Sequence, residues 1–124
     1  MRQTVLYLTL VVCLLLLQAC GKKADENKPV SQMQAEAEKM DANKLKSMAM
    51  AYQDAIVAKK ADVEKLAAKL KEIPLTEMLG EKAKQLKADI ENVNKSISSL
   101  KERFQIYYNK LKEKGGDLSG LGVG

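Results

Sequence analysis

The sequence predicts an all-α protein: a signal peptide followed by a long antiparallel helical hairpin, coiled-coil-like, able to dimerise into a four-helix bundle. Three observations carry that expectation. From Ser31 to Lys114 only Pro74 and Gly80 interrupt a run dominated by Ala, Lys, Glu, Leu, Gln and Met, all strong helix formers. Within that run apolar residues recur in alternating steps of four and three, which is the spacing of a coiled-coil seam. The apolar stretch from Val5 to Leu17 is shorter than the ~20 residues a membrane-spanning helix needs.

The elements follow in order. Residues 21–30, GKKADENKPV, are polar and carry a proline, so a flexible tether is expected there. Ser31 and Gln34 have the spacing of a capping box at the start of a helix over about 31–73. Its seam holds Leu45, Ala49, Tyr52, Ile56, Lys59, Val63, Leu66, Leu70 and Ile73. Lys59 is the one charge in that series. Either its stem packs while its ammonium reaches water, or it fixes register and oligomer state. Pro74 ends the helix, because it lacks an amide proton and clashes with the preceding turn. A turn is expected at about 74–76, with Thr76 capping a second helix over about 77–114.

The second seam is wholly apolar: Leu79, Ala83, Leu86, Ile90, Val93, Ile97, Leu100, Phe104, Tyr107 and Leu111. A short connection favours antiparallel neighbours. Folding about residue 76 sets Tyr52 opposite Leu100 and Ala49 opposite Phe104. It also brings Asp62 near Asp89, Lys69 near Lys82 and Asp41 near Lys110. Gly115 stops the helix, and five of the ten residues 115–124 are glycine, so a disordered tail is expected.

The N-terminal segment says where the protein goes. Arg2 supplies a positive start, Val5 to Leu17 is almost unbroken hydrocarbon, and Ala19 is a small residue at the cleavage position. That order marks residues 1–19 as a secretory signal peptide. The Leu17-Gln18-Ala19-Cys20 run resembles the lipobox of bacterial lipoproteins. The resemblance implies cleavage before Cys20, a diacylglyceryl group on its thiol, and a lipidated N-terminus at residues 20–30. An uncleaved anchor and an ordinary signal peptide with an incidental cysteine are the other readings of the same residues. In lipoproteins of double-membrane bacteria an aspartate after the cysteine retains the protein in the inner membrane. Gly21 stands there instead, which implies an outer-membrane location facing the periplasm. The chain ends in Gly124 and not in the lysine of the helical lipoprotein that is joined to peptidoglycan, so that covalent attachment is not expected.

Removing residues 1–19 takes Arg2 and Cys13 away and leaves 20 basic against 16 acidic residues, a net charge of +4. Cys20 is then the one cysteine, so packing alone must hold the domain. The excess is spread along the chain as lysine, with no basic block interleaved with aromatics, and nucleic acid is not an expected partner. The chain has no histidine. The serines follow no nucleophile-elbow spacing, and carboxylates such as Glu72, Glu77 and Glu81 are scattered over helix surfaces. No catalytic, cofactor or metal residues are therefore assigned, and no small-molecule substrate or enzyme activity is expected.

What remains is a membrane contact through lipid and a surface for self-association or an envelope protein. Met33, Met40, Met48 and Met50 cluster in the first helix, and Phe104, Ile106, Tyr107, Tyr108 and Leu111 widen the apolar face of the second at the matching end. Methionine surfaces repack easily against varied partners. Met48, Met50, Ile106, Tyr107 and Tyr108 are the candidate partner surface, and filler for a wider core is the other reading. The function expected is a lipid-anchored envelope scaffold or adaptor. The alternative is a small inhibitor or chaperone-like module that grips one partner through that Met/Tyr-rich end.

Overall fold

A computed structural model describes residues 24–122. The described chain is all-helical, with three α-helices and no strand. They are α1 (Val30–Lys39), α2 (Ala42–Lys71) and α3 (Glu81–Glu113), with a short 3-10 segment at Leu75–Glu77 between the last two. α2 and α3 pack against each other, and α1 packs on α3.

The single helix expected over 31–73 is two helices. Met40 and Asp41 take extended backbone conformations, with ψ of 144° and 168°, and the Asp41 carboxylate accepts the Lys44 amide proton at 2.7 Å. An aspartate that can satisfy an orphan amide favours a new helix start over a continuous turn. Lys110, expected near Asp41, pairs with Glu38 and Glu113.

The helix starts differ as well. α1 begins at Val30, one residue before the proposed Ser31 cap. Pro29 occupies the cap position without a side-chain bond, and its carbonyl accepts the Met33 amide at 3.1 Å. α3 begins at Glu81 behind Gly80, whose carbonyl accepts the Lys84 amide at 3.1 Å. Thr76 lies within the 3-10 segment and caps nothing. The later start leaves Leu79 off the helix, so this expected seam residue is 85% exposed.

The seam otherwise divides into two zones. Leu45, Ala49, Tyr52 and Ile56 on α2 are buried with Ile97, Leu100, Phe104, Tyr107 and Leu111 on α3. Met33 and Ala37 of α1 complete that core, both fully buried. Toward the turn, Ile73 and Ala83 are buried, but Val63, Leu66, Leu70, Leu86, Ile90 and Val93 are only half-buried, as is Lys59. There the helix pair has no third layer. Asp62 and Asp89 line one groove of that half, and Lys69 and Lys82 line another. At the other end the Tyr52 ring stacks on Tyr107, with centroids 5.6 Å apart, two turns beyond Leu100.

α3 ends in a Schellman arrangement. Gly115 has φ of +69° and donates to the Lys112 carbonyl at 3.1 Å, while Gly116 donates to Leu111 at 3.0 Å. A Cβ on Gly116 would fall 2.2 Å from the Leu111 Cδ1, so any side chain there would force the Leu111 side chain to shift. Composition alone predicts a disordered tail here, but this turn sends the chain back over the helices. Leu118 and Leu121 pack against the core, and the Gln53 side chain bonds the Gly120 carbonyl at 3.0 Å and the Gly122 amide at 2.8 Å.

Candidate functional site

The lipid-attachment candidate, Cys20, lies outside the described residues. Residues 21–23 lie outside them too, and the described chain begins at Ala24. Residues 24–29, expected as part of a free tether, lie across α2 and α3 as a strap. The Asp25 amide donates to the Tyr52 hydroxyl at 3.1 Å, and that hydroxyl donates to the Asp25 carbonyl at 2.9 Å. Ser99 donates to the Glu26 carbonyl at 3.0 Å, and Ser96 donates to the Glu26 carboxylate. Arg103 donates through one Nη to the Lys28 carbonyl at 2.9 Å and through the other to Ser99 Oγ at 2.7 Å. The strap enters α1 with Lys28 bonded to Glu36.

Arg103 is the centre of this arrangement. It is 8% exposed, and its Nε has no protein partner. Burial of a guanidinium needs several acceptors to offset desolvation, and the strap supplies one of them as a backbone carbonyl. Sequence reasoning passed over these residues. A signal was present, because Ser96, Ser99 and Arg103 fall at steps of three and four along α3. They form a polar stripe beside the apolar seam, and Arg103 is the one arginine after Arg2.

The five candidate partner residues separate. Tyr107 is fully buried under Tyr52 and belongs to the core, so it is not available as a surface. Its hydroxyl is buried without a partner. Met48, Ile106 and Tyr108 are partly buried against the core, and Tyr108 tilts against Phe104 at 5.7 Å. Met50 is 47% exposed. The placement follows from α1, which covers the end where a widened open face was expected. Apolar exposure is greater elsewhere: Leu75 is 92% exposed and Leu79 85%, both beside the turn, and Val57 is 60% exposed. Periodicity gave no reason to single out Leu75 or Val57, and it placed Leu79 in the seam, from which the later start of α3 removes it.

Charges near α1 and the tail are paired. Lys110 lies beside Glu113 and Glu38 and is shifted upward by both hydrogen bonds, while Glu38 is shifted downward by Lys110. Lys46 and Ser119 hold the Asp117 carboxylate below its usual range, with Lys46 at 2.6 Å. These are exposed pairs and add little stability. Among the described residues no cluster of three or more candidate metal ligands occurs, and no helix is long and apolar enough to cross a membrane.

Burial, with Tyr52 and Glu36 nearby, pushes the Tyr107 hydroxyl up to about 12. A folded-state value above the unfolded ~10 keeps the native state protonated where the unfolded chain has lost its proton. Stability should therefore hold below pH 10 and decline as the pH rises toward 12. Urea midpoints measured across that range check this, and Tyr107→Phe should flatten the decline.

No family model, no curated protein and no solved structure matches the chain.

Proposed function

We propose that this chain is a lipid-anchored, non-catalytic scaffold or adaptor of the bacterial cell envelope, attached through Cys20 and facing the periplasm from the outer membrane. The observation that carries the reading is Leu17-Gln18-Ala19-Cys20 after an apolar run and a positive start. On this reading α2 and α3 form a coiled-coil-like hairpin. The nine-residue connection 72–80 and the stacking of Tyr52 on Tyr107 support that geometry. Two such hairpins associating through their half-buried turn halves would give a four-helix bundle.

The test begins at the anchor. Cys20→Ser should abolish acyl labelling and leave the protein uncleaved or released from the membrane. Normal labelling of that variant overturns the reading.

Leu75 and Leu79 favour an additional reading, that of a binding module. Two large apolar side chains in water at one turn are the kind of exposure that marks an interaction site. The partner end then lies at the turn and not at the methionine-rich end. Leu75→Ser with Leu79→Ser should leave the melting temperature nearly unchanged, because neither side chain is buried. The double variant should lose crosslinks made in intact envelopes. One stoichiometric partner lost supports the module, whereas lost self-crosslinks support the scaffold. Unchanged crosslinks exclude the turn as the contact.

A further inference from the structure

The strap fixes where an anchor at Cys20 pulls on the domain. Asp25 is bonded to Tyr52, and Glu26 to Ser96 and Ser99. Ser96 is the sixteenth of the 33 residues of α3, so the strap grips the longest helix at its middle. At ~1.5 Å per residue α3 is about 50 Å long, with about 22 Å from Ser96 back to Glu81. Gly21, Lys22 and Lys23 alone separate Cys20 from Ala24, which itself packs on the core. Four extended residue steps span at most ~14 Å.

A leash of ~14 Å attached near mid-length is shorter than the ~22 Å from Ser96 to Glu81 and the ~26 Å from Ser96 to Glu113. A domain held this way cannot stand on its end. The leash and the shorter arm limit its axis to roughly 40° from the plane of attachment. We propose that the domain lies along the membrane, with the flank that carries the strap held against the phospholipid headgroups by the short chain between Cys20 and Ala24. The proposal rests on the anchor at Cys20. Lys22 and Lys23 lie within the leash, and their charge favours an anionic headgroup layer. The flank beside Tyr52 and Ser96 is then the lipid-facing surface. The turn with Leu75 and Leu79 stays near the membrane plane and does not project into the periplasm.

The experiment uses the acylated protein, purified from the membranes of cells that make the full chain and returned to vesicles of phosphatidylethanolamine and phosphatidylglycerol. Fluorophores on non-natural residues at Thr76 and at Lys112 report distance to a headgroup acceptor by energy transfer. The two distances should differ by less than about 30 Å, the limit set by the leash. A difference near ~50 Å, the length of α3, means an upright domain and overturns the proposal. Inserting twenty Gly/Ser residues after Lys23 should raise and broaden both distances. Distances unchanged by the insertion would show that the leash does not hold the flank, and would also overturn it. Mass spectrometry of the same preparation reads the anchor separately. An unmodified Cys20 defeats the anchor, whereas an acylated Cys20 with an upright domain defeats the orientation alone.

Discussion

Phe104→Ala should lower the unfolding free energy by about 3–5 kcal/mol, the usual loss for a buried aromatic. Phe104 is 1% exposed in the one zone of the molecule where three helices share a core. It stands among Ala49, Leu100 and Tyr107 in that cluster and tilts against Tyr108. A domain of about 100 residues has a total stability of only ~5–15 kcal/mol, so this change removes a large fraction of it. Urea denaturation followed by circular dichroism at 222 nm measures it. A loss under 1 kcal/mol would place Phe104 outside the core.

Met33→Ala should act differently although Met33 is also fully buried. A buried methionine truncated to alanine costs about 2–5 kcal/mol when the surrounding structure must stay in place. α1 is ten residues long, and its joint to α2 is the extended pair Met40 and Asp41. A helix this short is marginal without packing. Once α1 detaches, the penalty stops growing, because α2 and α3 keep their mutual contacts. The expected result is loss of hydrogen-exchange protection in Val30–Lys39 ahead of any loss in α3. Uniform loss across all three helices would show that α1 and the long helices unfold as one unit.

The long helices were legible because their signals are long. Steps of four and three sustained over nine apolar positions, Ala83 to Leu111, identify α3, and burial follows at Ala83, Ile97, Leu100, Phe104, Tyr107 and Leu111. The breaks were not legible. Asp41 is a weak helix residue in a strong helical neighbourhood, and only its capping bond to Lys44 distinguishes a start from an interruption. Thr76 and Ser31 have the chemistry of caps, yet Gly80 and Pro29 occupy the cap positions. Cap residues compete locally, and packing decides among them.

Tyr107, one of the candidate surface residues, lies in the core for a related reason. Tyr107 and Met33 have the composition of an open apolar end, but composition does not reveal that α1 folds back to cover it. The strap was hidden because its bonds run largely to backbone. Asp25, Glu26 and Lys28 each offer a carbonyl or an amide, and any residue could do the same. Only the receiving side, Tyr52 with Ser96, Ser99 and Arg103, leaves a trace in the sequence.

The strap and the tail meet α2 at consecutive residues. Tyr52 holds Asp25, and Gln53 holds Gly120 and Gly122. The first and last parts of the described chain thus leave the domain within a couple of helix diameters, roughly 20 Å. The connection at 72–80, by contrast, carries exposed side chains and few long-range bonds. The molecule is therefore suited to circular permutation. A linker of about eight residues joining Gly122 to Ala24, with new ends opened at Leu75 and Thr76, preserves every strap and tail contact. In such a permutant α2 follows the strap and α1 as before, while α3 moves to the front of the chain. Reporter groups placed at the opened turn would stand clear of both the strap and the tail.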